Sequence, residues 1–202
     1  FGASPERLLT IRQGQVQSDA LAGTATREGD GQALLRSEKD LWEHELVVAS
    51  ITNQLISQGL QPRRPRRPQL ARHGRLLHLH TPITADAHGL LPLHLVGLLH
   101  PTPAVAGLPR KDAMSWLRTL EPFERGGYAA PIGWIDSSGN SEFRVAIRCG
   151  NARGNELEIT AGAGLVRGSI AERELQEVGL KLAVLADQLD LQSKPFSRRS
   201  IT

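Results

Sequence analysis

AAPIGWIDSSGNSEFRVAIRCGNARGNELEITAGAGL, residues 129–165, decides the fold. AAPIGWIDS and EFRVAIRCG are short runs rich in β-branched and aromatic residues, and the SSGN between them (137–140) is a hairpin-type turn. LEITAGAGL (157–165) supplies a third strand. On either side the period changes from two to three and four. Residues 110–120 place Ala113, Trp116, Leu117 and Leu120 on one side of a helix, and 171–189 place Leu175, Val178, Leu182, Leu185 and Leu189 on the inward side of another. Hairpins interrupted by long helices, without regular strand–helix alternation, predict an α+β fold of antiparallel sheets flanked by helices.

The same pattern extends toward the N-terminus. RLLTIRQGQVQ (7–17) reads as a strand, a turn at Gly14 and the start of a second strand, and LAGTATREGDGQ (21–32) as a loop. From Ser37, SEKDLWEHELVVASITNQLISQ carries Leu41, Val48, Ile51 and Leu55 at helical spacing, with Ser37 as N-cap and acids in the first turn. Residues 62–75 read as an arginine-rich loop, because Pro62, Pro65 and Pro68 break helix and strand alike. RLLHLHTPI (75–83) is a strand. Residues 90–99 are apolar and end at HPTPAVAG, where Pro101 and Pro103 should stop regular structure. No internal repeat recurs at a fixed period.

The 202 residues are 40% hydrophobic and 22% charged, ordinary globular usage that excludes wholesale disorder. No apolar run reaches the 18 or so residues of a membrane-spanning helix. Cys149 is the single cysteine, so no internal disulfide is available, which leaves the redox compartment open and fits a reducing interior better than a secreted scaffold. The net charge of +3 invites a nucleic-acid reading. Its distribution argues against one. Arg63, Arg64, Arg66, Arg67, Arg72 and Arg75 lie together, and without them the 21 acidic residues outnumber the remaining basic ones. No aromatic side chain on which a base could stack interrupts that stretch.

Glu174 and Glu177 lie three apart on the last helix with Lys181 four residues on, and Lys39, Asp40 and Glu43 cluster on the first long helix. Two helices each offering a carboxylate could hold a hard divalent cation, although spacing alone favours solvated helix faces. His78 and His80 share one side of a strand. With His44 and His100 they make no zinc signature, so structural or substrate-contacting roles are expected. Gly162, Gly164 and Gly168 are spaced too widely for a dinucleotide fingerprint but could bring backbone amides close to an anion. Arg148 is flanked by apolar residues on a strand and needs an anionic partner, from protein or substrate. Ser4, Ser169 and Cys149 lack any nucleophile context. Trp42, Trp116 and Trp134 are expected in the core or at its rim.

The motifs GASPERLL, LAGT, SEKDLWEHELVV, LLHLHTPI, LLHPTPAVAGLPR, LEPFERGGYAAPIGWID, FRVAIRC, TAGAGLV and ELQEVGLKL run in this order from Phe1 to about Leu185. In that order they resemble the chorismate-utilising enzymes, most closely the isochorismate synthases. The resemblance implies the fold of that family. It also implies magnesium-dependent conversion of chorismate to isochorismate: water adds at ring C2, the double bonds shift and the C4 hydroxyl leaves. Glu6 matches the general acid. Glu43 and Glu177 match magnesium ligands, with Glu174 holding a metal-bound water, and the ring carboxylate of chorismate completes the shell. Arg148 matches the residue that binds the enolpyruvyl carboxylate, with backbone amides at Gly162 and Gly164 beside it. His78 and Lys181 line the pocket, and Gly23 and Thr24 close it beside the ring.

Other branches of the family differ at readable positions. Aminodeoxychorismate synthases carry lysine in PIKGT where this chain has Ala22, and they and the anthranilate synthases show an FPAGTLSGAPK-like stretch in place of LHPTPAVAGLPR. Salicylate synthases, which go on to eliminate pyruvate, are the nearer alternative. Ala104 in HPTPAVAG fits the branch that stops at isochorismate, the precursor of menaquinone, phylloquinone or siderophores. A cytoplasmic protein is implied, or a stromal one in a photosynthetic eukaryote. The chain opens on Phe1, inside a family motif, so residues 1–190 are expected to be the C-terminal part of one catalytic domain lacking the family's N-terminal strands, with 191–202 a tail. The lysine general base of the family precedes SPE and is not in this sequence. The 202 residues alone are therefore expected to bind magnesium and chorismate weakly and not to turn over.

Overall fold

Gln13 and Gly14, at φ of 50° and 78°, reverse the chain between β1 (Arg7–Arg12) and β2 (Gln15–Thr26), and this hairpin is the centre of the main sheet. The computed structural model describes residues 1–26, 31–87 and 89–189. β3 (Gln69–His73), β4 (Leu76–Asp86), β5 (Pro131–Ile135) and β6 (Ser141–Val145) complete an antiparallel six-stranded sheet in the order β3-β4-β2-β1-β6-β5. β7 (Cys149–Arg153) and β8 (Glu156–Thr160) form a separate two-stranded ribbon. The helices are α1 (Gly31–Leu34), α2 (Glu38–Ser57), α3 (Pro92–Leu99), α4 (Pro103–Ala106), α5 (Arg110–Leu120) and α6 (Ala171–Gln188). The architecture is the expected α+β arrangement.

α2 begins where its sequence signal lies: the Ser37 side chain accepts a hydrogen bond from the Asp40 amide at 3.3 Å, satisfying an otherwise orphan donor. Its inner face buries Val47, Val48, Ile51 and Leu55 against Leu9, Val16, Ala20 and Ile83 of the sheet. Leu95 and Leu99 of α3 join the same core. Fully burying a side chain of this size contributes roughly 1.5–3 kcal/mol, so this layer holds the fold together.

Several local expectations are corrected. LAGT is strand, not loop: β2 continues to Thr26, and a bulge between Ala22 and Thr24 with Gly23 at φ +73° bends it without ending it. Period-two reading fails there because the bulge inserts one residue out of step. Of the arginine-rich stretch, residues 69–73 are strand β3, paired with β4 from Gln69 opposite His80 to His73 opposite Leu76. Only the proline-punctuated part is irregular. Pro103 starts a helical turn rather than stopping regular structure, since the first helical position needs no amide hydrogen. EFRVAIRCG is two strands, and Arg148 sits at the break between them with φ +49°.

The inward face predicted for α6 is corrected in part: Leu185 is buried and Val178 and Leu182 are half-buried as expected, but Leu175 and Leu189 are not. Glu174 and Leu185 are its buried residues, while Leu175 is 61% exposed and Leu189 lies just beyond the helix, half-open. The helix turns its charged stripe inward. Trp42, Trp116 and Trp134 stand 58%, 66% and 47% exposed rather than in the core. The tail expected at 191–202, and residues 27–30 of the segment after LAGT, lie outside the described residues.

Candidate active site

One cleft of about 630 Å³ opens between the sheet, α2, α5, the β7–β8 ribbon and α6. Glu6, Gly23, Thr24, His78, Ala104, Arg148, Gly162, Gly164, Lys181, Glu43 and Glu177 all line it. Residues from eight separate stretches of sequence thus reach one cavity. Glu174 stands behind the wall, buried, where Lys39 Nζ holds its Oε1 at 2.7 Å.

Glu6 precedes β1, its carbonyl accepting from the Val145 amide at 3.1 Å and its own amide donating to Ser4 Oγ at 3.2 Å. These bonds fix the backbone so that the carboxyl points inward, 4% exposed. Burial pushes its pKa up to about 7, against the opposing pull of the Thr102 hydroxyl and the Lys181 and Arg148 charges. A carboxylic acid that keeps its proton near neutrality is what a general acid requires.

His78, on β4, has Nδ1 3.2 Å from the Gly23 carbonyl and 3.2 Å from Thr24 Oγ1. A carbonyl only accepts, so Nδ1 carries the hydrogen and Nε2, buried without a protein partner, offers a lone pair to the cleft. Burial, aided by Arg148 and Lys181, lowers the His78 pKa to about 3, and the ring is neutral. Among the described residues no other histidine lines this cavity: His80 Nε2 pairs with Asp19 at 3.1 Å, and His44 Nε2 bonds Thr81 Oγ1 at 2.7 Å inside the core.

Arg148 is buried at the strand break, where burial works against its charge and Tyr128, Glu177 and Glu6 favour it. Its left-handed backbone swings the guanidinium into the cleft, which a continuous strand would not do. Lys181, on α6, donates to the Gly162 carbonyl at 2.9 Å and pairs with Glu177. Gly164, in the segment after β8, lies so close to α2 that a Cβ there would meet Glu43 Oε1 at 2.8 Å and push that carboxylate aside.

Burial raises the Glu43 pKa to about 7, opposed by Lys39 and reinforced by Glu177 across the cleft. No group of three or more His, Cys, Asp or Glu side chains closes into a cage among the described residues. Magnesium does not need one, since it is usually held by one or two carboxylates with the remaining positions left to water and substrate. Two carboxylates lining the cleft from α2 and α6, Glu43 held up mainly by burial and further by Glu177, fit such an ion.

Thr102, Tyr128, Arg125 and the α5 face of Ala113, Trp116 and Leu117 were not singled out as site residues from sequence. Arg125 Nη1 donates to the Val105 carbonyl at 2.6 Å and its guanidinium grips Glu121, bracing the loop beside Tyr128. Tyr128, Arg125 and the α5 residues line the cleft. The signals were present. Ala113, Trp116 and Leu117 share one helix face, and Thr102 stands directly before Pro103.

The family described as chorismate binding enzymes matches residues 1–190. This chain belongs to the chorismate-binding enzyme family. It is 45% identical to the salicylate biosynthesis isochorismate synthase of Pseudomonas aeruginosa over 201 residues, covering 94% of this chain and 41% of that protein. It is 41% identical to isochorismate synthase MenF of Bacillus subtilis over 196 residues, covering 93% and 42%. Among solved structures, the DhbC isochorismate synthase of Bacillus anthracis superposes with a TM-score of 0.89 at 35% identity, over 95% of this chain and 54% of that one. Anthranilate synthase component I of Streptococcus pneumoniae follows the same chorismate-binding fold with a TM-score of 0.78 at 26% identity, over 92% and 43%. The chain spans about half the length of the curated relatives it matches. No helix among the described residues is long and apolar enough to cross a membrane.

Proposed function

We propose that this cleft belongs to an isochorismate synthase, taking chorismate to isochorismate. The observation that carries the reading is the placement of a protonated carboxylic acid, Glu6, in the same cavity as a cationic wall, Arg148 and Lys181, and a facing carboxylate pair, Glu43 and Glu177. Chorismate is a dianion with a hydroxyl to lose, and those three features answer its three demands.

Arg148 takes the enolpyruvyl carboxylate, and the amides around Gly162 and Gly164 approach the same charge. Magnesium, when bound by Glu43 and Glu177 with Glu174 behind them, would neutralise and orient the ring carboxylate. Gly23 and Thr24 lie along the ring edge, and His78 Nε2 accepts from a hydroxyl. Glu6 delivers its proton to the C4 hydroxyl, which leaves as water while a second water adds at C2 and the double bonds shift. The attacking water gives up a proton to a general base, a role the family resemblance assigns to a lysine of a motif N-terminal to SPE that is not among these 202 residues. Lys39 and Lys181 are both held in ion pairs.

Ala22 lines the cleft where aminodeoxychorismate synthases carry their lysine, which supports addition of water without a covalent intermediate. Ala104 on α4 does likewise for the branch that stops at isochorismate. The reaction is assigned to the cytoplasm, and the product to menaquinone or siderophore synthesis. The full-length protein is tested with chorismate and magnesium, with products separated by chromatography. Isochorismate is expected. Salicylate with pyruvate would instead establish a salicylate synthase, and anthranilate formed with ammonia would overturn both.

A further inference from the structure

Thr102 is the N-cap residue of α4, the position at which a threonine side chain ordinarily accepts a hydrogen bond from the first helical turn. Here it makes no such bond. Its Oγ1 donates to Glu6 Oε1 at 3.2 Å, and both residues are buried, at 2% and 4% exposure. Forgoing the cap leaves an amide of the first turn without that acceptor, and a buried hydroxyl turned away from it needs another partner.

We propose that Thr102 is a positioning residue for the acid: its hydroxyl occupies Glu6 Oε1, so that the transferable proton resides on Oε2, the oxygen left free for the substrate. The inference rests on the isochorismate synthase reading. A carboxyl group has two oxygens of equal basicity in water, and an acid that must protonate one hydroxyl gains if only one of them can carry the proton. A donor fixed on Oε1 makes that oxygen the acceptor. The hydrogen bond also anchors the carboxyl torsion, and among the described residues no other side chain donates to it: Lys181 of α6 and Arg148 of the β6–β7 junction act on Glu6 through charge. The strand segment before β1 and the α4 turn are thereby locked to each other across the cleft floor, far apart in sequence.

The test uses the full-length protein as wild type, Thr102→Val and Thr102→Ser, with kcat and KM for chorismate measured from pH 6 to 9. Thr102→Val keeps the shape and removes the donor. The expected result is a kcat about tenfold lower with KM nearly unchanged. The basic limb of the kcat profile should move to higher pH, because an ionised Glu6 has lost a hydrogen bond, while Lys181 and Arg148 still face it. Thr102→Ser should restore both. A Thr102→Val profile superimposable on wild type would overturn the proposal, and so would an equal loss in Thr102→Ser, which would assign the residue to packing. Wild type that forms no isochorismate would instead remove the underlying reading. Thermal melting of each variant separates loss of folding from loss of proton delivery: Thr102→Val that melts like wild type yet is slow supports the assignment.

Discussion

α2 and α6 are similar in sequence pattern, each a long amphipathic helix with acids in its first turn, yet they serve opposite purposes. α2 buries Val47, Val48, Ile51 and Leu55 in the core and lends one carboxylate, Glu43, to the cleft beside Trp42 and Leu46. α6 buries Glu174 and Leu185, turns Glu177 and Lys181 to the cleft and leaves Leu175 in solvent. One helix is scaffold with chemistry at its margin; the other is cleft wall with little core. The difference teaches that an apolar period marks a face able to bury, and that the layer available to receive it decides whether it does.

The sharpest break in that comparison lies at Glu6, where scaffold and cleft meet. Glu6→Gln should lower kcat about 10²- to 10⁴-fold with substrate binding retained, measured by steady-state kinetics on the full-length protein. The same variant should be the more stable one at pH 8. A buried carboxyl whose pKa is raised to about 7 stabilises the fold below its unfolded value and loses that contribution as pH rises through about 7. Denaturant unfolding should show Glu6→Gln ahead of wild type by about 2–3 kcal/mol at pH 8 and no advantage near pH 4.

Next in size is the scaffold itself. Ile51→Ala should cost about 2–5 kcal/mol by chemical denaturation, since its side chain is sealed between α2 and the sheet. The carboxylate pair follows: Glu43→Gln from α2 and Glu177→Gln from α6 should each weaken magnesium binding at least tenfold by calorimetry, equal partners from unequal helices. The smallest effect is Leu175→Ser, within about 0.5 kcal/mol of wild type in the same unfolding measurement. A large loss there would show that α6 does have a covered apolar face.

Much of this was legible in the residues. The Ser37 cap, the α2 stripe, the SSGN hairpin and the β1–β2 turn are local signals, and each element formed where its signal lay. Motif order carried the site further than spacing could, because Glu6, Glu43, Arg148 and Glu177 meet only through the fold. What stayed hidden depends on three-dimensional placement. The bulge at Gly23 breaks strand period without ending the strand, Arg148 enters the cleft through a backbone conformation no propensity announces, and Thr102 exchanges a cap for a carboxyl. Exposure of Leu175 was equally invisible, since sequence shows that a face is apolar but not what lies opposite.

The central claim, that Glu6 drives loss of the C4 hydroxyl while solvent water enters at C2, is tested most directly by mass spectrometry of the product formed in ¹⁸O-water. Full-length wild type supplied with chorismate and magnesium should yield isochorismate carrying one ¹⁸O at C2, and Glu6→Gln should yield almost none in the same interval. Unlabelled isochorismate from wild type, or labelled product from Glu6→Gln at the wild-type rate, would contradict the account.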